Sequence, residues 1–410
     1  MAILGLGLDY TRNNNKQSIG AFIASLGYAG STAGALFDLG RYWLPSTTDP
    51  TKPVEVTQDD WFAQFACADT SGVRQYQDKD GLVKYATGMT NKPVFDYQLG
   101  RRSLLADLAY TNVLLYNQDF NNAVWTAYTV KPSDLAKNAT SPTGAANDAW
   151  SFTKAGAGGG TAGLAYEIGT LTNNQFGVGV WLKADAPTVM KLGVDDAHTT
   201  TINVTTSWVF YSFAGTDNVN FSTTRYFQLY FNTSDNTGLS SSSKVYIYAP
   251  IAVMGFTGRP VTSVLTTSTA VTLPATTNRI PARAEALFSN PYTMLIDCAG
   301  NRKQTANSRL VSMNNVGRIR SQSPSNAAWW LQITNSYTIG TNSQTPCKIA
   351  YGGSATTNRA SYNGGAVAFN SDSAIPAINQ LDLRLASSNY YRLVLFPSLL
   401  SDAQLQALST

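Results

Sequence analysis

Catalysis needs particular side chains at reachable spacing, and this 410-residue chain offers few of them. Its single histidine, His198, follows Asp195 and Asp196 in Gly193-Val-Asp-Asp-Ala-His198, which could be read as an Asp/Asp/His metal cluster. Neighbouring side chains on a strand point to opposite faces, so these groups diverge, and Asp with Gly is turn chemistry. We read a hairpin turn and expect no metal. A Ser–His–Asp triad would have to use His198, and no Gly-x-Ser-x-Gly elbow accompanies it. The run Gly156–Gly163 lacks the Lys-Ser/Thr of a phosphate loop and reads as a flexible loop. Glycoside hydrolysis needs two carboxylates about 5–10 Å apart. Asp59 and Asp60 are adjacent and read as the cap of a helical turn before Trp61 and Phe62. The expectation is therefore no catalytic residue, no cofactor and no enzymatic activity.

Aromatic residues are more suggestive, because their faces stack on the apolar faces of sugars. Trp329 and Trp330 adjoin on one strand, so alternation turns one inward and the other outward. The outward one is a candidate sugar platform, and a subunit-contact residue is the competing reading, since Trp is enriched at protein interfaces. Trp125, Trp181 and Trp208 read as core packing.

The elements that must position these groups are mostly strands. Charged residues make up only 13 % of the chain, about half the usual globular share, and 21 Tyr, 17 Phe and 8 Trp accompany abundant Thr, Ser, Asn and Gly. Runs of five to eight residues between Gly, Asn, Ser and Pro clusters indicate β-sandwiches. Phe176–Lys183 alternates, followed by Val189–Val194, Thr200–Val204, Trp208–Phe213, Tyr226–Phe231 and Lys244–Ile251. A Thr/Ser/Pro-rich stretch, Thr257–Pro281, reads as an extended linker or edge segment, and a second strand series runs from Tyr292 to Phe396. The end, Ser401-Asp-Ala-Gln404, fits a capping box opening a helix with Leu405 and Leu408 on one face. The expected fold class is all-β, two antiparallel jelly-roll-type sandwiches after an irregular N-terminal attachment region. The expected divisions are 1–111, 112–280 and 281–410.

The formal net charge is +4, and no dense Lys/Arg run exists, so nucleic acid is not an expected partner. The three cysteines, Cys67, Cys298 and Cys347, are far apart in sequence and show no Cys-x-x-Cys, so we expect buried reduced thiols and no disulfide framework. Met1 leads into Gly and Leu without a basic leader, which reads as no signal peptide. Gln17–Phe37 is uncharged and about the ~20 residues a membrane span needs, but it is dense in Gly, Ser and Thr; a close-packed segment is the reading, not a span.

Several segments carry a resemblance. Asn112-Val-Leu-Leu-Tyr-Asn-Gln-Asp-Phe-Asn-Asn-Ala-Val-Trp125 resembles the TNLLxxSxDFxNxxW signature of bacteriophage virion proteins, which opens a carbohydrate-binding-module-like jelly roll. Asp9-Tyr-Thr-Arg-Asn13 and Pro93-Val-Phe-Asp-Tyr97 resemble their DFTRxS and PRFDYDP segments, and Ser263 to Thr272 resembles the closing SYIPTTSxAVT. Tyr391 to Leu408 resembles the end of a concanavalin-A-like or laminin-G-like sandwich, with Gln404 where Glu is usual. The resemblance implies a non-catalytic virion component (fibre, spike or decoration subunit) assembled in the host cytoplasm as a homo-oligomer. It would dock on other virion proteins through residues 1–60 and contact host-surface polysaccharide with its sandwiches. A glycan-binding adhesin module and a polysaccharide-degrading tailspike are the alternatives.

Overall fold

The computed structural model describes residues 34–38, 41–49, 53–64, 66–67, 74–86, 94–98, 100, 102–106, 109–128, 132–153, 163–169, 175–195, 198–216, 224–230, 244–255, 260, 262–273, 278–279, 291–299, 309–313, 317–321, 328–332, 336–341, 347–370, 381–383, 388–396 and 398–410. The fold is all-β, with antiparallel sheets throughout the described residues and short helices at Gln58–Phe62 and Asp402–Ser409. Among those residues no helix is long and apolar enough to cross a membrane. Segment 17–37 lies outside them, apart from the backbone of 34–37.

The middle sandwich consists of two five-stranded sheets. One runs in the order Trp125–Ala127, Gly163–Gly169, Arg225–Tyr230, Thr188–Val194, His198–Val204. The other runs Ala136–Ala139, Ala149–Thr153, Lys244–Met254, Gln175–Ala184, Val209–Thr216. Alternation builds the core between them: Phe176, Val178, Val180 and Leu182 meet Leu164, Leu192, Phe227 and Leu229 around Phe120, Trp125 and Trp150. Trp181 belongs to the opposite face of its strand. It is buried as well, because a hairpin of Arg74–Gln77 and Val83–Ala86 and the segment 262–273 cover that face. The stretch expected as a linker or edge segment is partly a packed strap, and its Val271–Leu273 pairs with Tyr110–Asn112.

Of the segments carrying the resemblance, 112–125 holds this strap in place. Asn112 and Asn117, both fully buried, each donate their side-chain amide to the carbonyls of Pro250 and Val264. Asn112 Oδ1 accepts from Leu114 and Ala252, and Asn117 Oδ1 accepts from Thr266. Trp125 Nε1 donates to the Tyr116 carbonyl at 3.0 Å. These motif residues satisfy buried backbone groups, so their work is architectural.

The second sandwich draws on both ends of the chain. Its larger sheet runs Ala368–Asn370, Asn358–Tyr362, Cys347–Gly353, Tyr292–Cys298, Ser388–Phe396, Gly34–Asp38, Arg41–Pro45, Pro53–Val56, and Ser103–Ala106 also pairs with Ser388–Phe396. The facing sheet runs from Ser336–Thr341 through Ala328–Gln332, Gly317–Ser321, Arg309–Met313 and Leu381–Leu383 to Asn278–Arg279 and Ala66–Cys67. The sheets therefore run across the expected divisions at 111 and 280. Tyr42, Leu44, Trp61 and Leu104 share one core with Met294, Ile296, Leu310 and Leu393. The terminal helix packs on the outer face through Leu405 and Leu408 against Trp43, Leu295 and Val394. Its Ser401–Gln404 capping box forms as the sequence predicts.

Several phenols sit in these cores. Tyr351 donates to Asn358 at 2.7 Å and Tyr390 to the Leu310 carbonyl at 2.6 Å, and burial pushes both hydroxyls far above the usual tyrosine range. Burial also pushes Tyr42 up to about 12, against the lowering pull of Arg102. A proton held more tightly in the folded chain stabilises it below the unfolded tyrosine pKa of about 10, and that contribution disappears as pH rises through the folded value. Tyrosinate absorbance should therefore lag between about pH 10 and 12 and then rise together with loss of β-sheet circular dichroism. Complete ionisation near pH 10 with the sheet signal intact would contradict this.

Candidate functional site

The outer face of the first sheet of the middle sandwich forms a groove. Trp125, Leu164, Phe227, Leu229, Leu192 and Val194 point into the core, so alternate residues line the other face. Pairing sets them in cross-strand rows. The central row runs Thr126, Ala165, Gln228, Gly193, Thr199, all short or small except Gln228. One flanking row holds Glu167 opposite Tyr226. The other holds Gly163 opposite Tyr230, then Lys191 and Thr201, with Tyr128 joined through its N–H to the Gly163 carbonyl. Tall rows beside a short one leave a groove of about 590 Å³, lined by Thr126, Tyr128, Ala165, Glu167, Tyr226 and Gln228 among others.

Its walls are preorganised. Tyr128 stacks on Tyr230 with ring centroids 4.1 Å apart and planes 18° from parallel. Tyr230 reaches that position because Gly163 faces it: a Cβ on Gly163 would collide with the Cβ and backbone of Tyr230. The backbone of Tyr226 is held by its N–H, which donates to Asp195 Oδ1 at 2.9 Å. Gln228 is 7 % exposed, and its side-chain oxygen has no hydrogen-bond partner. Glu167 presents an exposed carboxylate nearby. Tyr128 and Tyr226, the amide side chain of Gln228 and a carboxylate at the rim suit a flat, polyhydroxylated ligand lying across the strands.

The residues singled out from sequence lie elsewhere. Trp329 and Trp330 are on Ala328–Gln332 of the second sandwich, and their side chains fall outside the described residues. Their strand pairs regularly with Gly317–Ser321, and the irregularity at this pair places the extra residue, Ile339, on the neighbouring strand. His198 begins the strand His198–Val204, with its ring 6.2 Å from that of Phe176. Asp195 takes a positive φ of 49° at the hairpin turn, and its carboxylate is committed to Arg225 at 2.8 Å and the Tyr226 N–H. Asp196 lies outside the described residues, among which no cluster of three metal-ligating side chains occurs. The cap expected at Asp59 and Asp60 falls instead at Thr57, whose side chain accepts from the Asp60 N–H, and the two aspartates lie in the first turn of the helix Gln58–Phe62. The run 156–162 lies outside the described residues. Sequence reasoning missed the groove. Its signal was Arg225-Tyr-Phe-Gln-Leu-Tyr230, where Tyr226, Gln228 and Tyr230 share one face while Phe227 and Leu229 share the other.

No protein-family model matches the chain, and no curated protein sequence matches it either. Solved structures to which part of the chain is similar include the CBM40 of the Ruminococcus gnavus IT-sialidase bound to α2,3-sialyllactose, at 14 % identity over 32 % of this chain and 88 % of that one, with a TM-score of 0.26. The CBM22-1 xylan-binding domain of Paenibacillus barcinonensis Xyn10C is similar at 12 % identity over 37 % of this chain and 96 % of that one, TM-score 0.23. The Trypanosoma rangeli sialidase in complex with the inhibitor DANA aligns at 11 % identity over 32 % of this chain, TM-score 0.26, and the chain spans about a quarter of its length, 24 %.

Proposed function

We propose that the chain is a non-catalytic structural component of a bacteriophage particle, a fibre, spike or decoration subunit, whose middle sandwich binds a host-surface glycan in the groove. The observation that carries glycan binding is the groove lined by Tyr128, Tyr226, Gln228 and Glu167, with Tyr128 held in place by stacking on Tyr230. The virion assignment is supported by the motif series, in which Asn112 and Asn117 tie the strap, through Val264 and Thr266, to the middle sandwich. In this reading 112–280 is the glycan-facing jelly roll and 281–410 a second sandwich, with Trp329 and Trp330 a further sugar platform. Residues 1–111 carry attachment to other virion proteins, chiefly through 1–60, while lending strands to that sandwich. The subunit assembles in the host cytoplasm as a symmetric homo-oligomer.

The full-length chain should bind one class of polysaccharide on a glycan array. Tyr128→Ala and Gln228→Ala should each weaken that binding by about 1–2 kcal/mol, roughly five- to thirty-fold, with thermal unfolding little changed. Binding that both variants retain unaltered would place the site elsewhere, and no binding at millimolar polysaccharide would remove the glycan reading. Release of reducing ends from a bound polysaccharide would replace it with the tailspike enzyme.

A further inference from the structure

The chain's three cysteines are scattered in sequence, yet the fold brings two of them together. Cys298 ends the strand Tyr292–Cys298, Cys347 opens Cys347–Gly353, and the two are direct register partners. Their sulfurs lie 3.6 Å apart as free thiols. Both side chains are buried, at 0 % and 2 % exposure. Directly opposed residues of antiparallel strands have Cα atoms about 4.5–5.5 Å apart, inside the roughly 4.4–6.8 Å that disulfides span. The backbone already stands at cross-link distance, and only side-chain rotation separates contact from a bond of about 2.05 Å.

We propose that Cys298 and Cys347 are a latent cross-strand disulfide, closed by exchange with a small oxidised disulfide such as oxidised glutathione. One thiolate attacks a glutathione sulfur, forming a mixed disulfide and expelling the first glutathione thiolate, which takes up a proton. The second cysteine, as thiolate, attacks the protein sulfur of that mixed disulfide and expels the second glutathione. The Sγ–Sγ bond forms, the protein gives up two protons and two electrons, and the oxidant becomes two thiols. Two features keep the pair reduced until an oxidant arrives. The contact with Cys298 and burial hold the Cys347 thiol well above the ordinary thiol range, and burial makes entry wait on opening at the strand ends. The pair is two thiols in a reducing compartment and a cross-link after transfer to an oxidising one. The link would fasten the adjacent strands Tyr292–Cys298 and Cys347–Gly353, inside the sheet that also contains Ser388–Phe396.

The full-length protein is incubated with oxidised glutathione in urea below its unfolding transition, then denatured, alkylated and weighed. Two of the three thiols should escape alkylation, the peptides holding Cys298 and Cys347 should appear joined, and the second-sandwich melting temperature should rise by about 5 °C. Cys298→Ala and Cys347→Ala should each abolish the joined species, whereas Cys67→Ala should leave it intact. Three alkylatable thiols after oxidation, stable glutathione adducts without a joined peptide, or a link through Cys67 would each overturn the proposal. Should an alanine variant misfold, the joined-peptide map of the unmodified chain and of Cys67→Ala decides alone.

Discussion

A chain lacking residues 1–45 should lose its second sandwich while its middle sandwich still melts cooperatively. The deletion removes Gly34–Asp38, which pairs along Ser388–Phe396, and Arg41–Pro45 beyond it. It also removes side chains packed on both faces of that sheet. Tyr42 and Leu44 enter the inter-sheet core, whereas Trp43, 0 % exposed, packs under the terminal helix with Leu405 and Leu408. Full burial of such side chains contributes about 1.5–3 kcal/mol each, and a domain's whole stability is about 5–15 kcal/mol. Losing them together consumes most of that margin. It also bares an edge of Ser388–Phe396, an apolar strand whose unpaired backbone invites aggregation. Trp43→Ala isolates one term and should cost about 3–5 kcal/mol by itself. Calorimetry of the full chain, the 46–410 fragment and Trp43→Ala checks this. A fragment showing both transitions at their full-length temperatures would sink the idea.

The uneven legibility of the sequence has the same origin. The middle sandwich could be read because its strands are long and alternate cleanly, as in Gln175–Ala184, and their partners lie nearby in the chain. The N-terminal strands are short, and Gly34–Asp38 finds its partner more than three hundred residues away. Local pattern carries no information about such pairing, so 1–111 reads as irregular although it completes a sheet. The terminal helix was legible because a capping box is a local device. Asn112 and Asn117 stood out by resemblance, but their role depends on the carbonyls of Pro250 and Val264, which no spacing rule brings near. Cys298 and Cys347 looked unrelated for the same reason. The groove was visible only as polar positions on the outward face of Arg225–Tyr230, and outward polar residues are ordinary until neighbouring strands supply a floor of Thr126 and Ala165.

Gln75 gave no sequence signal at all, and replacing it should be among the costliest single changes outside the apolar cores. It is 1 % exposed and joins three separate parts of the chain. Its oxygen accepts from Trp181 Nε1 at 2.8 Å and from the Ser263 N–H at 3.0 Å, and its amide donates to the Tyr85 hydroxyl at 3.1 Å. Tyr85 in turn meets the Tyr248 hydroxyl at 2.8 Å. Gln75→Leu keeps the volume nearly constant but strands the indole N–H and the Ser263 N–H beneath the hairpin. Each orphaned buried donor costs about 1–3 kcal/mol, so the variant should lose about 3–6 kcal/mol once the tyrosine contact is included. Trp181→Phe removes one of the stranded donors. In the Gln75→Leu background it should therefore cost about 1–2 kcal/mol less than in the native chain, a coupling that urea unfolding of the four proteins measures directly. Coupling near zero would mean that Gln75 acts only as filler. A Gln75→Leu cost below about 1 kcal/mol would mean that water reaches the stranded groups and that the hairpin is not sealed onto the sandwich.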